Sequence, residues 1–363
     1  AATASRIPMK AGIIGFPKVG KTTLFNLLTR GHAETSRFSQ GKKEVNLGVA
    51  EVPDARLDKL EEIFQPRKKT IATTEFVDMV GVNRGEIKGT EYLAHLRNVD
   101  CLIHVVRAFE DPEMGVSAKD IHPHEDIQDF NLELILADMS VIHNRLEKLT
   151  QMIKKVKSKD NEEELALLQR CAKEVEDEKP LRELEMDPAE KRRLRSFAFL
   201  SEKPLLHVIN VSEDRLNQKD QYLSEVLTPN QEITFICGPL EQQIGELATE
   251  ERKDFMEQYG FSESGRDRVI RTTFKLLDLI LFFTAGEEEV RSWPLRRGTN
   301  AQKAAGTVHS DMERGFIRAE VVGYDDFLKT GSFAEAKKHG VFRLEGKEYI
   351  VNDGDIITFR FNV

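Results

Sequence analysis

Apolar residues along the chain fall into two rhythms. The first is a set of short, nearly continuous runs. "MKAGIIGF" (Met9 to Phe16) enters glycine Gly15, and "TEFVDMV", "CLIHVVRAF", "PLLHVINV" and "EITFICG" follow at intervals. Runs of this length, separated by helical or loop segments, predict buried strands of a parallel sheet with helices on both faces. "TLFNLLTRG" carries Leu24, Leu27 and Leu28 on one helical face, so the segment around Gly15 to Thr22 lies between a strand and a helix.

The second rhythm begins after "CLIHVVRAF". Leu132, Ile135, Met139, Ile142, Leu146, Leu149, Ile153 and Val156 alternate spacings of three and four, a heptad seam. "KSKDNEEE" ends it, and Leu165, Leu168, Ala172 and Val175 resume the spacing. Two such stripes joined by a charged connection predict an antiparallel helical hairpin. Asp187, Pro188 and Glu190 then supply a cap, a first-turn proline and a capping-box acid for a further helix. That helix leads back to "PLLHVINV", so the hairpin reads as an insertion. From about Ile280 the pattern changes to short strand segments punctuated by Glu-Gly and Asp-Gly turns, a small β-rich domain. The expected organisation is a discontinuous α/β domain over 9–128 and 200–279, a helical insertion over 129–199 and a terminal domain over 280–363. Residues 1–8, "AATASRIP", precede Met9 and read as an expression remnant.

Composition changes this picture little. The chain has 363 residues, is 40% hydrophobic and 32% charged, and carries a formal net charge of −9. It is not a general electrostatic binder of nucleic acid, and DNA is not an expected partner. The terminal region from Ile280 has 12 Lys+Arg against 13 Asp+Glu, so it is not basic either. No apolar run approaches the roughly 20 residues that span a bilayer. Cys101, Cys171 and Cys237 are far apart, with no metal-ligand spacing and no disulfide framework. A reducing, cytoplasmic setting is expected.

Candidate chemistry centres on "GFPKVGKT", Gly15 to Thr22. Two glycines four residues apart followed by Lys-Thr, between strand and helix, form a phosphate-cradling loop. Backbone groups of Gly15, Lys18, Val19, Gly20, Lys21, Thr22 and Thr23 would surround phosphate oxygens. Lys21 would reach the β- and γ-phosphates, and Thr22 would ligate Mg²⁺. "DMVG" (Asp78 to Gly81) ends another strand. Asp78 can hold the metal, and Gly81 can offer its N–H to the γ-phosphate. Taken alone this stretch reads better as a strand-ending turn; together with the phosphate loop the metal-holding reading prevails. Val82 follows where Ras-like proteins have the water-orienting glutamine, so water activation must come from elsewhere. "NVSE" (Asn210 to Glu213) ends a strand where guanine-specific proteins carry Asn-Lys-x-Asp. Glu213 is longer than aspartate by one methylene, and Val211 replaces the lysine that packs on the base. Guanine loses its advantage and adenine becomes a candidate; the competing reading is a helix start capped by Ser212. Gly238, closing the next strand, completes the base-binding set with Asn210, Val211 and Glu213.

Together with "VPDARLDKL", "HVVRAFED", "RVIRTTFKLLDLILFFTAG", "AAGTVHSDMERGFIRAE" and "KEYIVNDGDIITFRFNV", these motifs resemble the YchF or Obg-like ATPase family, in the family's order over nearly the whole chain. The resemblance implies a P-loop NTPase domain with a coiled-coil insertion and a C-terminal TGS domain of β-grasp fold. It also implies Mg-dependent ATP binding, slow hydrolysis and association with ribosomes through RNA or protein. A GTPase of the same fold, and a nucleotide-dependent binding module with little turnover, remain the competing readings.

Four departures from the family pattern bear on hydrolysis. Lys18 stands where the family usually has an asparagine that helps hold a monovalent cation. Its ammonium either replaces that cation, which would add Lys18 to Lys21 as a catalytic group, or points into solvent. The first switch, "FSQGKKEVN", has no threonine to close on Mg²⁺. The second, "VNRGEIKGTEYLAHL", lacks part of the family's glycine-rich segment. Gly115 or Val116 aligns with the family's loop histidine. His122 and His124 lie nearby, with a surface-loop role the simpler reading, and His95 and His104 read as structural. Two basic clusters, Lys154, Lys155, Lys157 and Lys159, and Lys191, Arg192, Arg193 and Arg195, could meet phosphates or be solvated helix faces.

Overall fold

A computed structural model describes residues 9–29, 46–79, 90–156, 158–223 and 231–362. Its strands are β1 (Lys10–Ile14), β2 (Asn46–Glu51), β3 (Lys68–Thr70), β4 (Thr73–Asp78), β5 (Cys101–Ala108), β6 (Leu205–Val211), β7 (Gln231–Ile236), β8 (Leu279–Ala285), β9 (Glu289–Arg296), β10 (Phe316–Gly323), β11 (Arg343–Glu345) and β12 (Asp355–Phe361). The chain divides into two compact units, Lys10–Gly48 with Phe76–Leu276, and Val49–Glu75 with Leu277–Val363.

The larger unit is built on a six-stranded sheet of order β2-β4-β1-β5-β6-β7. Its centre is parallel, with Ile14 opposite His104 and Arg107 opposite Asn210. The β6 sequence "LLHVINV" is buried at every position, as a strand covered on both faces requires. Helices Lys21–Leu28 and Gly265–Leu276 pack beside this sheet. The order of the strands brings the C-terminal ends of β1, β5 and β6 side by side, the place where open α/β sheets bind ligands.

The inserted hairpin consists of helices Pro123–Lys155 and Lys159–Glu176. Ile135, Ile142 and Leu149 are buried against Leu168, Cys171 and Val175. The seam frays at its tip, where Val156 is 67% exposed. The polar "KSKDNEEE" stretch is not a long connection. The second helix starts at Lys159, inside it, and buried Glu164 accepts two bonds from Arg145, from Nε at 2.7 Å and from Nη2 at 2.9 Å. A bidentate ion pair thus lets a charged segment continue a helix. Asp187 caps the Pro188–Leu194 helix by accepting from the backbone N–H of Ala189 and Glu190, and Glu190 accepts in return from Asp187 N–H. Asp138, fully buried on the long helix, ties the returning chain by accepting from Leu200 N, Ser201 N and Ser201 Oγ at 2.7–2.9 Å.

The second unit has a sheet of order β11-β10-β12-β8-β9-β3. The β8–β9 hairpin is antiparallel, β12 runs parallel to β8, and the Ala301–Val308 helix packs on the inner face through Ala301, Ala304 and Ala305. This is the expected β-grasp arrangement. Its membership differs from the sequence expectation, because residues 49–75 join it. β3 adds to β9 in parallel, and Arg56 of the Ala55–Phe64 helix bonds Asp353 at 2.8 Å. Phe64 stacks on Phe327 at 5.5 Å, so the apolar face of that helix has its partner here. All three cysteines are buried thiols, and burial raises the thiol pKa of each. Among the described residues, no helix is long and apolar enough to cross a membrane.

Candidate nucleotide site

The phosphate loop leaves β1 and turns directly into the Lys21–Leu28 helix. Two glycines make this path physically accessible. A Cβ on Gly15, whose φ is 147°, would lie 2.6 Å from the Val105 carbonyl oxygen, so only glycine lets the loop lie against β5. Gly20 caps the helix at φ 97°, and a Cβ there would lie 2.3 Å from Asn210 Nδ2. Lys18 also has a positive φ, 63°, and is exposed. Asparagine, the usual family residue here, tolerates that backbone better than lysine.

Lys21 is only 8% exposed, and its ammonium donates to the Phe16 carbonyl oxygen at 2.7 Å. Burial lowers its pKa, opposed by the charge of Asp78. Asp78 ends β4 with 6% exposure and accepts from Thr22 Oγ1 at 3.1 Å. Burial raises its pKa, against the Thr22 hydrogen bond and the Lys21 charge. A cation, a hydroxyl and a carboxylate from segments over fifty residues apart in sequence are therefore brought together.

Asn210, at the end of β6 and 6% exposed, donates from Nδ2 to the Val19 carbonyl oxygen at 3.1 Å. That bond locks the phosphate loop to the neighbouring strand. Gly238 starts the Gly238–Glu246 helix beside Thr23 and Asn210. Val211 is corrected: its side chain is 1% exposed and packs with Val106, Ile209 and Phe235 in the core. Strand alternation turns its side chain away when Asn210 faces the loop. Glu213 is exposed at the start of a 3₁₀ segment, Glu213–Gln218, and accepts from Tyr259 Oη at 2.8 Å. Sequence reasoning missed Tyr259, which lies in no motif. Gly81, Val82 and the first-switch residues 38–45 lie outside the described residues, as do residues 1–8 and Lys157.

Beneath the loop lies a buried pair. His104 Nδ1 is 3.1 Å from His207 Nδ1, and His104 stacks on Phe130 at 4.1 Å. Among the described residues, His104 Nε2 has no hydrogen-bond partner. Burial depresses both imidazole pKa values, that of His207 to about 3. His104 is therefore structural, as expected. His122 and His124 are exposed and bond locally, to Lys119 O and Gln128, in keeping with the surface reading. Gly115 lies in a turn closed by a bridge between Asp111 and Val116.

Comparison with known proteins bears on the family to which the chain belongs. A family model described as "50S ribosome-binding GTPase" matches residues 10–145. The YchF GTPase C-terminal model, described as "Protein of unknown function (DUF933)", matches residues 279–362. "Ribosome-binding ATPase YchF" of Bacillus subtilis (strain 168) is 42% identical over 98% of this chain and 100% of its own length. The protein of that name from Escherichia coli O157:H7 is 40% identical over 98% and 99%. The solved structure of the Schizosaccharomyces pombe YchF GTPase superposes with a TM-score of 0.83 at 29% identity, covering 97% of this chain and 98% of that one. With a P-loop NTPase domain, an inserted helical hairpin, a β-grasp terminal domain and relatives that match end to end, this chain belongs to the YchF family.

Proposed function

We propose that this chain is a Mg²⁺-dependent ATPase of slow turnover that changes conformation with its nucleotide and acts on the ribosome. The observation that carries the nucleotide chemistry is the 3.1 Å contact between Thr22 and Asp78 beside buried Lys21. Thr22 and Asp78 would hold Mg²⁺, and the fit is chemical: burial leaves the Asp78 carboxylate in want of positive charge. The metal would neutralise charge on the β- and γ-phosphates. Lys21 and the loop N–H groups would orient those phosphates. Among the relatives, the bacterial names specify an ATPase and the fission-yeast title a GTPase. Glu213 in place of the guanine-reading aspartate favours ATP.

Ribosome binding rests on the names of the bacterial relatives and on the family model for residues 10–145. The test is titration of labelled ATP and GTP onto the full chain with and without Mg²⁺, then phosphate release over hours and co-sedimentation with ribosomes. ATP preferred over GTP and enhanced by Mg²⁺ is the expected result. A clear GTP preference would overturn the base assignment. Bound ATP recovered intact after hours would favour the binding-module reading, because water activation at Val82 is unprovided for.

A further inference from the structure

The hydrogen bond between Tyr259 and Glu213 bears on which base the site accepts. Tyr259 Oη donates to Glu213 Oε1 at 2.8 Å, so one of the two carboxylate oxygens is already engaged. The tyrosine is not a loose surface group. Its ring packs against Phe255 at 5.1 Å and stacks with Phe261 at 6.0 Å, and Phe261 packs on Phe235 of β7 at 5.8 Å. The 3₁₀ segment carrying Glu213 is fixed two residues later by the Arg215–Glu110 ion pair at 2.8 Å. The hydroxyl and the carboxylate are therefore held by two separate anchors.

Guanine offers a carboxylate two adjacent donors, N1–H and the exocyclic amine. Adenine offers one, its exocyclic amine, beside the N1 acceptor. A carboxylate free to turn both oxygens onto the base suits guanine; one whose rotation is fixed by a donor on one oxygen suits adenine. We propose that Tyr259 is a specificity-determining residue: by holding Glu213 Oε1 it fixes the rotation of the carboxylate and weakens that oxygen as an acceptor, leaving Oε2 as the stronger one, which selects adenine over guanine. The proposal rests on Glu213 facing the base. It adds that the glutamate discriminates because of its tyrosine partner, and not through its length alone.

The experiment compares ATP and GTP dissociation constants for the full-length wild type, Tyr259→Phe, Glu213→Ala and the double variant, using fluorescent nucleotides with Mg²⁺. Tyr259→Phe keeps the ring contacts and removes only the donor. The expected result is a gain in GTP affinity relative to ATP of about tenfold, the worth of one hydrogen bond to a charged acceptor. The same substitution in the Glu213→Ala background should move the ratio by less than about twofold. An unchanged ratio in Tyr259→Phe, with wild type selecting ATP, overturns the tyrosine's role and leaves the ATPase reading standing. An equal change in both backgrounds overturns it too, since Tyr259 would then act without Glu213. A wild type that prefers GTP removes the ATPase reading and this inference with it. Far-UV circular dichroism melts of each variant show that the ratios come from folded protein.

Discussion

Acid should destabilise the nucleotide-binding unit through the His104–His207 pair. Both rings are fully buried, and both imidazoles are held neutral, with the His207 pKa depressed to about 3 from 6.5. In the unfolded chain each histidine titrates near 6.5, so below that pH the unfolded state binds protons that the folded state refuses. Stability then falls as pH drops from 6.5 towards the folded pKa. At pH 5 the penalty for one such histidine is about 2 kcal/mol, and at pH 7 only a few tenths. The pH 5 figure hardly depends on how far below 4 the folded pKa lies. His104 is shifted in the same direction by burial and by the neighbouring ring, so its contribution has the same sign. The assay is urea unfolding followed by far-UV circular dichroism at both pH values, for wild type and for the His104→Gln/His207→Gln double variant. Fluorescence of Trp293 would report on the other unit. The double variant should lose clearly less stability on acidification than wild type. Equal losses would refute the reasoning, because the pair would then carry its protons equally well folded and unfolded.

Other substitutions probe separate links. Lys18→Asn should raise stability by about 0.5–1 kcal/mol in urea, by relieving a positive φ on an unfavourable residue, and an unchanged or lowered midpoint would sink that account. Asp138→Ala strands two backbone donors and a serine hydroxyl in the core and should cost about 3 kcal/mol or more, read as a lower urea midpoint. Asp78→Asn should abolish the strengthening of ATP binding by Mg²⁺, measured by titration with and without EDTA; retained Mg²⁺ dependence would exclude Asp78 as a metal partner.

The phosphate loop was readable because its chemistry is contiguous: one segment supplies the glycines, the lysine and the threonine between a strand and a helix. Asp78, Asn210 and Gly238 were readable because each ends a run that looks like a buried strand, and parallel strands bring such ends together. The misread positions share a different cause. Val211 sits beside Asn210 in the motif, but strand alternation sends the two side chains opposite ways. β3 is three partly exposed residues, "KKT", with no hydrophobic signal. The Ala55–Phe64 helix shows an apolar face, Leu57 and Leu60, yet a face alone does not say which sheet will cover it. The charged start of the Lys159–Glu176 helix became legible only with Arg145 in place, nineteen residues from Glu164. Tyr259 needs the three-dimensional meeting of two loops, which no local pattern encodes.

The way residues 49–75 are shared has a practical consequence for dissecting this protein. Cutting the chain before Leu279 looks like a clean removal of the terminal domain. It would instead strip Leu57, Leu60 and Phe64 of cover and leave Arg56 without Asp353, in a stretch that stays behind between the phosphate loop and Asp78. Lost activity in such a fragment would then report sticky, unfolded sequence threaded through the catalytic half, and would say nothing about what the terminal domain recognises. Point substitutions on the outer surface of the β-grasp sheet, in the intact chain, are the informative alternative.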